Sequence, residues 1–131
     1  MIAIDPLNYR LEKAKAVNKV DTLNPHEVDV VEAIRSMTGG RGADVCVDAV
    51  GFEPERNILD KAKALFNFEV GSMKVLDMCF KAVRRMGTVS IMGVYGSTYD
   101  NFPLHRVFDK GITLKMVQAP VLNYIDHLIE L

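Results

Sequence analysis

The residues most suited to chemistry in this 131-residue chain lie where apolar runs stop. Met1-Ile2-Ala3-Ile4 ends in Asp5, and Arg10 follows five residues later. An acid at the carboxyl end of a strand can accept hydrogen bonds from a ribose diol, and its charge selects NAD over the phosphorylated cofactor. Arg10, near the same end of the following helix, could cover the adenosine. The alternative is structural: Asp5 caps that helix with Pro6 at its first turn, and Arg10 is a solvated charge. A second set of positions sits at three further run ends, Val50-Gly51, Gly93-Val94-Tyr95-Gly96 and Gln118-Ala119-Pro120. Glycines on one edge of a sheet would leave room for a flat ligand, or they serve only tight turns.

Other reactive residue types form no recognisable pattern. His26, His105 and His127 share no metal-ligand spacing with each other or with cysteine, and no Ser/His/Asp or Cys/His pairing stands within a motif. We therefore expect neither catalytic residues nor a metal site in this chain. Asp44 and Asp48 bracket an apolar run and read as turn caps. Cys46 and Cys79, the two cysteines, read as small core hydrophobes in a reducing compartment.

The elements that must position these residues follow from periodicity. Ala43 to Val50 is short, rich in β-branched residues and almost wholly apolar, the pattern of a strand buried on both faces of a parallel sheet. Before it come a short strand over 1–5, a helix from Pro6 to about 16–18 with Leu7, Leu11, Ala14 and Val17 inward, and an edge strand over 20–24. A second helix over 26–37 has Val28, Val31, Ala33 and Ile34 inward, and a glycine-rich turn over 38–42 leads into the apolar strand. After it, residues 53–71 read as an insertion with a short helix. Helix 72–86, with Val75, Leu76, Cys79, Phe80 and Val83 inward, is expected to end at Gly87. A buried strand over 88–94, a helix over 104–110, a half-exposed strand over 112–118 and a helix from 123 onward complete the chain.

Strands alternating with helices predict an α/β fold with a parallel sheet, and the length predicts a single domain. A formal net charge of -1 with no basic block argues against nucleic acid as the main partner. No apolar run is long enough to span a membrane. The start of the chain lacks the regions of a signal peptide, and the expected location is cytoplasmic.

Three segments together resemble the zinc-dependent, medium-chain alcohol dehydrogenases. They are Ile4-Asp5-Pro6 with Arg10-Leu11 and Ala14, then Thr38-Gly39-Gly40-Arg41-Gly42-Ala43-Asp44-Val45-Cys46-Val47-Asp48-Ala49-Val50-Gly51, then Arg84-Arg85-Met86-Gly87-Thr88-Val89-Ser90-Ile91-Met92-Gly93-Val94. The segment after Glu53 and Gln118-Ala119-Pro120-Val121 are most similar to the formaldehyde-dehydrogenase-like branch. The resemblance implies a Rossmann-like, doubly wound parallel sheet and an oxidoreductase that passes hydride from a zinc-bound alcohol to NAD. Carried over by position, Asp5 holds the adenine ribose and Arg10 flanks it, while Val50 and Gly51 line the adenosine site. Gly93, Val94 and Tyr95 lie along the nicotinamide side, and Val117-Gln118 face the carboxamide, with Val117 bulkier than the family position suggests.

The resemblance covers only the later part of the family's cofactor domain. The glycine-rich G-x-G-x-x-G turn that binds the pyrophosphate is absent, as are the zinc-binding residues of the catalytic domain. The chain thus looks like part of a dehydrogenase beginning at the second strand of its nucleotide-binding fold, inactive alone and retaining at most the adenosine end of the NAD site. In the strand order 3-2-1-4-5-6 the absent first strand falls between Met1–Asp5 and Ala43–Val50. Those two strands must either pair directly or receive a strand from another chain, such as a complementing catalytic-domain subunit. The last strand could also meet its twin in a homo-oligomer. A non-catalytic remnant serving as a nucleotide-binding or oligomerisation module is the alternative function.

Overall fold

The structure, a computed structural model, describes residues 1–50, 74–93, 102–117 and 121–129. The expected insertion over 53–71 lies outside them. The chain divides into two compact units, Met1–Ala43 and Asp44–Leu131.

The first unit is built on β1 (Ile2–Ile4), α1 (Asn8–Asn18), β2 (Asp21–Leu23) and α2 (Val30–Met37). β1 and β2 pair in parallel, with Ile2 opposite Asp21 and Ile4 opposite Leu23. Helix α1 stops where Lys19 turns left-handed and donates its N–H to the Lys15 carbonyl. Of its expected inward residues only Leu11 is buried, while Leu7 and Val17 are exposed. Two strands of three residues offer too little surface to cover a whole helical stripe.

Helix α2 is shorter than its periodicity suggests. Asp29 is its N-cap, accepting from the N–H groups of Val31 at 2.9 Å and Glu32 at 3.1 Å. Residues 25–28 instead form a turn around Asn24, whose carbonyl accepts from Glu27 and Val28. Val30 and Ile34 are buried, whereas Val28 faces solvent.

The second unit contains β3 (Ala43–Asp48, crossing the boundary by one residue), α3 (residues 74–82), β4 (Val83–Ile91), α4 (Leu104–Lys110), β5 (Thr113–Met116), a 3-10 turn (Val121–Asn123) and α5 (Ile125–Ile129). Its sheet has the order β3-β4-β5, with β4 and β5 parallel and Val89 opposite Leu114. Leu76, Cys79, Phe80, Val83, Val89, Ile91, Val107 and Ile112 form the core, with Cys46, Phe102 and Leu114 packed on it. The Phe80 and Phe102 rings meet edge to face, with centroids 5.6 Å apart.

Two expectations are corrected here. β3 is not buried on both faces, because Val45 and Val47 are each 56% exposed. Side chains alternate along a strand, so Cys46 and Asp48 turn to the packed face and the two valines to the other. No described element of their own unit covers that other face.

The helix expected to run to Met86 ends at residue 82, and β4 begins at Val83 rather than at residue 88. Lys110 explains the stop: its Nζ donates to the carbonyls of Phe80 at 2.9 Å, Lys81 at 2.9 Å and Val83 at 2.7 Å. A cation thus takes the orphan carbonyls of the last turn and meets the negative end of the helix dipole. Gly87 lies within β4, where an added Cβ would stand 2.6 Å from Val83 Cγ2 and 3.0 Å from the Asp44 carbonyl oxygen. Close backbone approach, rather than helix termination, is what this glycine permits.

Candidate functional site

Asp5 follows the carboxyl end of β1, where its N–H donates to the Leu23 carbonyl of β2 at 3.4 Å. The structure corrects the expectation that Asp5 caps α1, because Leu7 occupies the N-cap position and makes no side-chain cap bond. Asp5 Oδ1 instead accepts from the Leu7 N–H at 2.8 Å, and Oδ2 lies 3.5 Å from Arg10 Nη1. Arg10 Nε also donates to the Tyr9 hydroxyl at 3.1 Å. The Arg10 guanidinium carbon stands 5.8 Å from the centre of the Tyr9 ring.

The expected pair of Asp5 and Arg10 is therefore brought together at one end of β1. Each carboxylate oxygen can accept more than one hydrogen bond. At 26% side-chain exposure Asp5 keeps accepting capacity toward solvent. Arg10 and Tyr9 together supply a flat cationic surface beside it.

In the second unit Val50, Gly93 and Val117 follow the carboxyl ends of β3, β4 and β5. Asp48 joins the first two. Its Oδ1 accepts from Val50 N–H at 3.1 Å, and its carbonyl accepts from Met92 N–H at 2.8 Å and Gly93 N–H at 3.0 Å. The Asp48 side chain is buried, so this knot fixes where the two strands end. Val117 is exposed beyond β5. Gly51, Val94, Tyr95 and Gln118, the other expected cofactor residues, lie outside the described residues.

Sequence reasoning named Asp48 only as a turn cap; its burial and its hold on β4 depend on strand pairing, which no local pattern displays. Asp44 pairs with Arg84 Nε at 2.6 Å. Among the described residues no three His, Cys, Asp or Glu side chains cluster as metal ligands. Cys79 belongs to the buried core cluster and Cys46 packs against it, both as free thiols. The donor set of the described residues does not fit zinc.

The parallel strands with interleaved helices define the class: an α/β, Rossmann-like sheet, incomplete in that β1-β2 and β3-β4-β5 are separate sheets. Comparison with known proteins narrows this. No protein-family model matches the chain. It is 38% identical over its full length to an uncharacterized zinc-type alcohol dehydrogenase-like protein of Bacillus subtilis, covering 35% of that protein. A zinc-type alcohol dehydrogenase-like protein of Schizosaccharomyces pombe is 30% identical over 99% of the chain, which covers 31% of it.

Among solved structures, the alcohol dehydrogenase TADH from Thermus sp. ATN1 superposes with a TM-score of 0.73 at 27% identity. That match covers 98% of this chain and 31% of the Thermus chain. The benzyl alcohol dehydrogenase of Acinetobacter calcoaceticus, at 20% identity and a TM-score of 0.71, shares the fold. The chain thus spans about a third of the length of the curated relatives it matches.

Proposed function

We propose that this chain is the later part of the NAD-binding domain of a zinc-type, NAD-dependent alcohol dehydrogenase, of the formaldehyde-dehydrogenase-like branch. The observation that carries the reading is its full-length similarity to a one-third segment of zinc-type alcohol dehydrogenase-like proteins. The break in strand pairing supports it. β1 and β3 belong to different sheets, and between these two strands a Rossmann sheet places its first strand.

In this reading the chain's own residues do one job. Asp5 accepts the hydroxyls of the adenine ribose and Arg10 with Tyr9 flanks the base. By position in the resemblance, Val50, Gly51, Gly93, Val94, Tyr95, Val117 and Gln118 would contribute the remainder of the cofactor contacts. The bound cofactor would supply the hydride acceptor of an alcohol oxidation. The described side chains offer no zinc ligands and the chain contains no glycine-rich pyrophosphate turn, so no hydride step is assigned to them. The chain alone is inactive, sits in the cytoplasm and retains the adenosine end of the site. An in-frame coding sequence before Met1 carrying the glycine-rich turn and zinc ligands would extend the reading to a whole enzyme.

The second reading is an oligomerisation module. It is favoured by β5, an outer strand of its sheet whose Met116 is exposed; in this reading β5 would meet a second copy across a two-fold axis. Thermal melting with NAD, with its phosphorylated form and with neither separates the two. The dehydrogenase reading expects stabilisation by NAD alone, abolished in Asp5→Ala. No shift at millimolar NAD, together with a dimer by light scattering, favours the module.

A further inference from the structure

Three backbone carbonyls at the turn from α3 into β4 converge on one point. Those of Phe80 and Lys81 belong to the last turn of α3, and that of Val83 opens β4. Lys110 Nζ occupies the point, 2.9 Å from the first two oxygens and 2.7 Å from the third. Lys110 arrives from a different element, the last turn of α4. The number fits as well as the place, because a lysine ammonium carries three donors and no acceptor and here meets three acceptors.

We propose that the turn from α3 into β4 is a preformed receptor for a primary ammonium group, filled in this chain by Lys110 and open to free alkylammonium ions once that side chain is shortened. The acceptors set the class of ligand. All three are neutral carbonyls, whereas divalent cations draw on carboxylates. The Phe80 and Lys81 carbonyls lie among the last four of a helix, so they lack intrahelical donors and stand at the negative pole of its dipole. One positive charge with three N–H groups satisfies all three oxygens at once. A quaternary ammonium brings the charge without a donor.

The receptor does not take its shape from Lys110. Leu76, Cys79 and Phe80 of α3 and Val83 of β4 are buried in the core and fix the carbonyls between them. The end of α4 is tied to the same turn by a second link: Arg85 Nη1 donates to Asp109 Oδ2 at 3.0 Å, and Arg85 Nη2 donates to the Asp109 carbonyl. Shortening Lys110 therefore empties the point while Arg85 keeps α4 beside it.

Chemical rescue of Lys110→Ala tests this. Melting of the variant and of the native chain is followed by circular dichroism at fixed ionic strength in sodium, tetramethylammonium, ammonium and propylammonium chlorides. Propylammonium carries the atoms that the substitution removes. It should raise the melting temperature of Lys110→Ala by about 5 °C at about tenfold its Kd and leave the native chain unmoved. Ammonium should act at higher concentration, and tetramethylammonium and sodium not at all. Equal shifts with tetramethylammonium, equal shifts in the native chain, or no shift with either amine would each overturn the proposal. If Lys110→Ala is unfolded in sodium chloride, propylammonium should restore its helical signal, and a chain that stays unfolded in it overturns the proposal too. None of these readouts involves a nucleotide, so the result is independent of the function proposed above.

Discussion

The two units are held together by different chemistry. In Asp44–Leu131 the centre is an aromatic and aliphatic cluster around Phe80, Val83 and Val89, all essentially without solvent exposure. In Met1–Ala43 the buried apolar residues are few, and a polar side chain, Asn24, does much of the joining. Its Nδ2 donates to Asn8 Oδ1 at 2.5 Å, to the Pro6 carbonyl at 3.3 Å and to Glu27 Oε1 at 3.4 Å, and its Oδ1 accepts from His26 N–H at 2.9 Å. One amide therefore ties together the entry to α1, the end of β2 and the turn before α2. A satisfied polar hub specifies geometry while contributing little transfer free energy, whereas an apolar cluster contributes most of its stability through burial. The contrast suits the proposed roles: the polar unit carries Asp5 and Arg10, and the apolar unit carries the strand ends joined by Asp48.

Breaking the apolar centre should have the largest effect. Phe80→Ala removes a fully buried ring and its edge contact with Phe102, at a cost of about 3–5 kcal/mol. Urea unfolding followed by circular dichroism should show that loss, and a change below about 1 kcal/mol would refute the ring's central place.

Asn24→Ala should come next. It leaves the Pro6 carbonyl and the His26 N–H without their partner, at about 1–3 kcal/mol. Hydrogen exchange should show the amides of residues 21–23 losing protection while those of residues 88–91 keep theirs. Equal loss in both would erase the contrast between the units.

The smallest effect should be a pH dependence traceable to Asp77 in the apolar unit. Burial raises the Asp77 carboxyl, but hydrogen bonds and charge from Lys81 and Arg106, at 2.5 Å and 2.7 Å, outweigh it and hold the group below its ordinary value. A carboxyl depressed in the folded state contributes stability above its unfolded pKa of about 4, and that contribution disappears as pH falls through the folded value. The melting temperature should therefore fall more steeply below about pH 4 in the native chain than in Asp77→Asn. Parallel acid limbs would contradict it.

Much of this architecture is written in local pattern. The apolar stop at Asp5, the turn of three glycines before β3, the spacing of Leu76, Cys79, Phe80 and Val83, and Gly111 after α4 each mark an element the structure contains. Gly111 is left-handed with φ 61°, a conformation that favours glycine at a helix end. What escaped the pattern depends on distant partners. Nothing near Val83 signals a helix end, because the cap is Lys110, almost thirty residues away. The valines of β3 look buried because composition cannot report which face has a cover.

The candidate site divides the same way. Asp5 and Arg10 stand five residues apart and their pairing is legible from spacing. The Asp48 knot comes from strand pairing across a long separation. By sequence Asp5 reads as a helix cap, because an Asp-Pro pair favours that role. In the structure the carboxylate makes a local turn with Leu7 and leaves the helix to start later.

The central claim is that the polar unit retains the adenosine end of a dinucleotide site. Titrating NAD into the isotopically labelled chain and following backbone amides by NMR tests it most directly. The account predicts saturable shifts at Leu7 and Arg10 that vanish in Asp5→Ala while the spectrum of the second unit stays folded. An unperturbed spectrum at millimolar NAD, or the same shifts in the variant, would contradict it.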